Sequence, residues 1–245
     1  MPFYRWQLER FVDPTFVARL YRGVVRTKYE TGEWRPVMRG WLHLAVCPLW
    51  YAVWVSTYLF WRQTQGVRVM LSMKVWSYFF SAMFHCLDTR GWDGMHDFLF
   101  SADVVFIAGS IIAPSTPIAE LEGELFMNVV GMIAVMVGVA YTFDPQECSH
   151  RFTWDLLGIL YTTTILSIGW SMSFPVGWFV ATFFYTVGFL LPDACPLWDG
   201  RYVRPRFPWH LPGAWGYHED FHACIVVADT VLCALVIWFV NHAKA

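Results

Sequence analysis

The sequence predicts an all-α membrane protein: a seven-transmembrane helix bundle with its N-terminus inside and its C-terminus outside. Three observations carry that prediction. Of 245 residues, 57% are hydrophobic and only 15% charged, a balance too apolar for an ordinary soluble domain. Apolar runs long enough to cross about 30 Å of hydrocarbon recur along the chain, seven in all. Lys and Arg gather on one side of those runs, thirteen against four, the asymmetry that sets membrane orientation.

The first forty residues are polar and rich in Arg and aromatics, without the apolar stretch of a cleavable signal peptide. Phe3, Tyr4, Trp6 and Phe11 serve there as interfacial anchors, so residues 1–40 read as an inner membrane-surface segment and residues 41–245 as the transmembrane domain. The spans run Trp41 to Trp61, Val67 to Cys86, Phe98 to Ala113, Phe126 to Phe143, Trp154 to Trp170, Phe174 to Leu191 and Phe221 to Val240. Polar or Pro- and Gly-bearing breaks separate them: Arg62 to Gly66, Asp88 to Asp97, Pro114 to Glu124, Asp144 to Arg151 and the Pro-rich stretch from Pro192 to Tyr217. Between Ser171 and Pro175 two spans nearly merge. Eight basic residues precede Trp41, and Arg90, Arg151, Arg201, Arg204 and Arg206 fall on the same side. Arg62, Arg68, Lys74 and Lys244 count on the other, beside an acidic loop at Glu120, Glu122 and Glu124.

Six cysteines (Cys47, Cys86, Cys148, Cys195, Cys224 and Cys233) show no CxxC and no repeated spacing, which argues for thiols rather than a disulfide scaffold or a thiolate zinc site. No nucleic-acid footprint or module appears. The Arg-rich N-terminus suits a plasma, endomembrane or mitochondrial inner-membrane address, and Glu9, Asp13, Glu30 and Glu33 speak against a simple transit peptide.

The polar residues inside the spans carry the functional reading. His218-Glu219-Asp220-Phe221-His222 opens the last span, and histidines four apart share a helical face. His85 closes the second span, on the same inner side. Three neutral imidazoles with one open position are the pattern of a catalytic zinc site. Ser81 lies one turn from His85 and is placed to hydrogen-bond a ligand or a metal-activated water. Two carboxylates compete as the base beside it, Asp97 at the inner end of the third span and Asp103 about two turns further in. Asp229, in the middle of the last span, is a functional candidate because buried acids are costly there, with Lys74 or a hydroxyl as its partner. His43, His96, His150, His210 and His242 read as interfacial hydrogen-bonding residues. His218-Glu219-xx-His222 also fits the HExxH pattern of a metalloprotease. It opens the last span, however, so no later helix supplies a third ligand.

Arg35-Pro36-Val37-Met38-Arg39-Gly40-Trp41-Leu42-His43, Ser81-Ala82-Met83-Phe84-His85, Ile107-Ala108-Gly109-Ser110 with Pro114, and Trp215-Gly216-Tyr217-His218-Glu219-Asp220-Phe221-His222-Ala223 together resemble the haemolysin III family. That family belongs with the progestin and adipoQ receptors and, more distantly, the alkaline ceramidases. The resemblance runs from about residue 35 and includes the order and spacing of the motifs. It implies a seven-helix bundle with an inner-face zinc held by His85, His218 and His222, a Ser at 81 and an Asp on the third helix reached through water. It also implies hydrolysis of the amide bond of ceramide-like lipids. The family's third-helix Asp position is Leu99 here, with Asp97 two residues before it and Asp103 four after.

Three functions follow as expectations. The first is a zinc-dependent lipid amide hydrolase whose substrate is a membrane lipid. The second is a receptor in which the metal pins helices together. The third is a non-catalytic family member serving as a subunit of a larger membrane complex, with membrane-protein partners.

Overall fold

The computed structural model describes residues 38–59, 64–87, 94–143, 150–190 and 217–243. The expected membrane-surface segment and most of the Pro-rich stretch before the last helix lie outside the described residues. The described residues are helical throughout, with no strand among them: α1 Met38–Leu59, α2 Gln65–Cys86, α3 Met95–Ile112, α4 Thr116–Leu121, α5 Leu125–Thr142, α6 His150–Ser171, α7 Val176–Leu190 and α8 Tyr217–Ala243. A 3₁₀ turn, Ala113–Ser115, joins α3 to α4. The seven long helices fall on the seven apolar runs.

Among the described residues, three helical rods are long and apolar enough to cross a membrane: Met95–Leu121, Leu125–Thr142 and Glu219–Ala243. Leu44–Leu59 and Val176–Gly188 are apolar but shorter. Gln65, Arg68 and Lys74 dilute the apolar character of α2. Large apolar side chains stand exposed around the bundle, including Phe126, Tyr141, Trp170 and Val176. A continuous apolar surface of this kind needs a non-aqueous neighbour.

The stretch from Pro114 to Glu124, expected as a break, is instead a continuation of α3 through the 3₁₀ turn and α4. Pro114 and Pro117 sit in the first two positions of their helical turns, where the missing N–H has no intrahelical partner to lose. Gly123, at φ +78°, ends the rod in a conformation that side chains resist. From this rod Glu120 accepts hydrogen bonds from the backbone N–H groups of Gln65 at 3.3 Å and Gly66 at 2.6 Å, capping α2 with a carboxylate. The Thr116 hydroxyl donates to the Gly66 carbonyl at 2.7 Å. This approach requires glycine, because a Cβ at Gly66 would lie 2.5 Å from the Thr116 carbonyl oxygen and 2.7 Å from the Pro117 Cα.

The near-merger between α6 and α7 resolves into a tight turn with Ser173 and Phe174 at φ +58° and +50°. The Phe174 N–H reaches back to the Gly169 carbonyl at 2.7 Å, and the Trp178 indole N–H donates to the Ile165 carbonyl at 2.7 Å. These bonds fold α7 back onto α6.

In the core, α1 packs on α2, α2 on α3, α3 on α5, and α8 on α7. At the N-terminal end of α2, Val67, Met70 and Leu71 pack with Leu232, Val236 and Val240 from the C-terminal end of α8, all at most 2% exposed. The polar residues that line the cavity, from Lys74 to Ser81 on α2 and from His222 to Asp229 on α8, lie beyond this aliphatic stack. Lys74, counted by sequence among the loop charges, is corrected here: it is 1% exposed in the middle of α2, so it contributes to the interior rather than to orientation.

Candidate functional site

Helices α2 and α8 run antiparallel and meet through polar side chains that reach across a cavity. Two such layers occur. In the first, His85 near the C-terminal end of α2 meets His222 in the first turns of α8, ring centres 5.4 Å apart and edge to face. His222 is buried and His85 half-buried. Antiparallel pairing produces this contact because it brings the C-terminal end of α2 level with the N-terminal end of α8.

Beside Ser81 of α2 lies Asp103 of α3, 5% exposed. Its carboxylate takes a hydrogen bond from Ser81, one turn from His85 on α2. Its Oδ1 has no hydrogen-bond partner among the described residues, a costly state for a buried carboxylate oxygen and one that calls for a role. Asp97, the other candidate, stands at the start of α3 with its side chain 38% exposed, 3.4 Å from His96 Nδ1. The two carboxylates thus occupy different environments: Asp103 joins Ser81 inside the bundle, and Asp97 joins His96 at its edge.

The fit of a metal to these residues can be tested by geometry. Two imidazoles sharing one tetrahedral zinc, each nitrogen about 2.0–2.1 Å from it, place their ring centres about 5 Å apart. The His85–His222 separation meets that requirement. The same spacing also suits an edge-to-face contact between two rings. Among the described residues no set of three or more His, Cys, Asp or Glu is arranged to hold a metal. The His218 side chain, the expected third ligand, lies outside them. His218 belongs to the first turn of α8, one turn from His222. Glu219, between the two histidines, is fully buried.

The second layer lies deeper along both helices: Asp229 is seven residues from His222 on α8, and Tyr78 and Lys74 are seven and eleven residues from His85 on α2, about 10 Å or more at the helical rise. Here Lys74 and Asp229 form a buried ion pair at 2.5 Å, the pairing the sequence offered for Asp229. Lys74 Nζ also donates to the Ser110 carbonyl at 3.0 Å and its hydroxyl at 2.8 Å. Tyr78 donates to Asp229 Oδ2 at 2.9 Å, and Tyr185 donates to Oδ1. The cluster therefore ties α2, α3, α7 and α8 together. Its sequence signal was Asp229, an acid inside the last span with Lys74 offered as its partner; Tyr78, Ser110 and Tyr185 were not singled out, because only the fold brings them in.

A cavity of about 80 Å³, partly open to the surroundings, extends between the layers. Ser81 and His222 line it toward the first layer, and Lys74, Ser110, Tyr185 and Asp229 toward the second. Ile107, Ile111, Leu157, Ile165 and Leu232 provide apolar walls. Mainly apolar walls with a few polar side chains suit an amphiphile better than a polar metabolite. Cys47, Cys224 and Cys233 are free thiols.

Among the described residues, the fold is all-helical, with three rods long and apolar enough to cross a membrane and a cavity bordered by polar side chains. No protein-family model, no curated protein and no solved structure matches the chain.

Proposed function

We propose that the chain is a multi-pass membrane protein of the haemolysin III type, with seven spans, its N-terminus inside, and a zinc site at the inner end that serves hydrolysis of a ceramide-like lipid amide. His85, His218 and His222 would hold the ion. The observation that carries this reading is the meeting of His85 with His222, with a buried, half-satisfied Asp103 beside Ser81 one turn along α2.

When bound, zinc supplies a Lewis acid for the amide carbonyl and lowers the pKa of a water molecule. The residues of the chain do the rest. Asp103 is placed to accept a proton at Oδ1 while Ser81 steadies the carboxylate. The apolar walls hold the acyl chain and keep bulk water from the amide. Asp103 fills the role of base better than Asp97, whose exposed carboxylate faces His96.

The test is the metal content of the purified full chain, by mass spectrometry, for wild type, His85→Ala and His222→Ala, followed by turnover of a fluorescent ceramide. About one zinc per wild-type chain, lost in both variants, supports the site. Zinc without turnover leaves the receptor reading in place. A metal-free wild type removes the enzymatic reading and points to a subunit whose membrane-protein partners native co-purification would reveal.

A further inference from the structure

The Lys74 cluster takes no part in the metal-site chemistry, and stability alone is a poor account of it. Buried ion pairs are commonly replaced by apolar residues without loss, because desolvation offsets their attraction. Here the pair also borders a cavity instead of being packed on every side. We propose that this end of the cavity binds a lipophilic aldehyde as an imine on Lys74, with Asp229 as the counter-ion.

Four features of the cluster meet the demands of that chemistry. Lys74 is a primary amine, 1% exposed, on the wall of an apolar cavity. Asp229 lies 2.5 Å from Nζ and is placed to take the ammonium proton, freeing the nitrogen lone pair. Tyr78 and Tyr185 hydroxyls, both on Asp229, are positioned to pass that proton on. Ile107, Ile111 and Leu157 accommodate a hydrocarbon tail. An aldehyde is favoured over a ketone because Nζ is already approached by Ser110 and Asp229, leaving room for one substituent on the carbonyl carbon.

The step balances without any further reactant. The amine adds to the carbonyl carbon and the oxygen gains the proton held by Asp229, giving a carbinolamine. A second proton goes from nitrogen to that hydroxyl through the tyrosine–carboxylate pair, and water leaves toward the Ser81 end of the cavity. The carbon–oxygen double bond is replaced by a carbon–nitrogen double bond. One ammonium and one aldehyde become one protonated imine and one water, with no redox change. The positive charge stays at the same place, so Asp229 keeps its partner.

The chain has three lysines, Lys28, Lys74 and Lys244, which makes the test direct. The full-length protein in detergent is incubated with dodecanal, reduced with borohydride and mapped by peptide mass spectrometry. The expected result is a reduced adduct on Lys74 in preference to Lys28 and Lys244, absent in Lys74→Arg, which keeps the charge but forms no imine. A conjugated polyene aldehyde adds an optical readout: its absorbance moves to longer wavelength in the wild type, and less so in Asp229→Asn. Adducts confined to Lys28 and Lys244, or to no lysine, overturn the proposal. So does labelling of Lys74 by acetaldehyde as readily as by dodecanal, since the apolar walls would then do nothing. Wild-type mapping decides the matter even if an altered chain fails to fold.

Discussion

Lys74 and Asp229 meet at 2.5 Å in the middle of the bundle, two helical turns from His222 and closed off from solvent. The lysine gives its remaining bonds to Ser110, and the carboxylate takes two more from tyrosines. Every polar atom of the pair is thereby answered, which is the condition under which buried charges persist.

Removing one member alone should be severe. Lys74→Met leaves a bare carboxylate and is expected to cost about 3–5 kcal/mol. Adding Asp229→Asn removes the charge while retaining an acceptor for the tyrosines, and should recover much of the loss. Thermal unfolding of the purified chains in one detergent checks this; a double variant no more stable than Lys74→Met alone refutes it.

An ion bridging α2 and α8 should stabilise the folded state in proportion to its occupancy, by about 3 kcal/mol at a hundredfold excess over its dissociation constant. Chelation is therefore expected to lower the Tm of the wild type and to leave His222→Ala unmoved. Restoring zinc, and not magnesium, should bring the wild-type value back. Equal responses in both proteins would refute an ion at His222.

The two carboxylates of α3 separate by their surroundings. If lipid amide turnover is found, Asp103→Asn should lower kcat by about 10²–10⁴, the usual worth of a general base. Asp97→Asn should stay near the wild type. The opposite order would place the base at the edge of the bundle.

Gly66 and Gly131 provide a packing contrast. A methyl group at Gly66 meets backbone atoms of Thr116 and Pro117 at 2.5–2.8 Å, so Gly66→Ala should cost about 1–3 kcal/mol as α2 is pushed from α4. At Gly131 nothing lies within 4 Å. Gly131→Ala is expected to be neutral or to stabilise α5 by up to about 1 kcal/mol. Unfolding temperatures of the two variants settle the contrast.

The helices were legible because apolar length is a strong local signal, and the seven long ones fall where hydropathy puts them. What escaped depends on contacts distant in sequence. The rod through Pro114 and Pro117 read as a break because proline usually is one, and only the Glu120 and Thr116 bonds to α2 show why the helix goes on. Lys74 was counted with the charges of one membrane face and was also offered as a partner for Asp229. Its burial follows from Asp229, 155 residues later, and that pairing was offered from helix register alone. At the candidate site, the spacing of Ser81, His85 and His222 anticipated their shared level. The choice between Asp97 and Asp103 was not legible, since both lie at the same end of α3 and differ only in what packs over them.

Val67, Met70, Leu71, Leu232, Val236 and Val240 form a stack of aliphatic side chains beyond the ion pair. Hydrocarbon packed this closely has low permittivity and no sites at which a water file or a hydrated ion can rest. On the proposed multi-pass reading, a bilayer crossed by this bundle should keep its electrical resistance: chemistry would reach the protein from one leaflet, while this stack would act as an insulator.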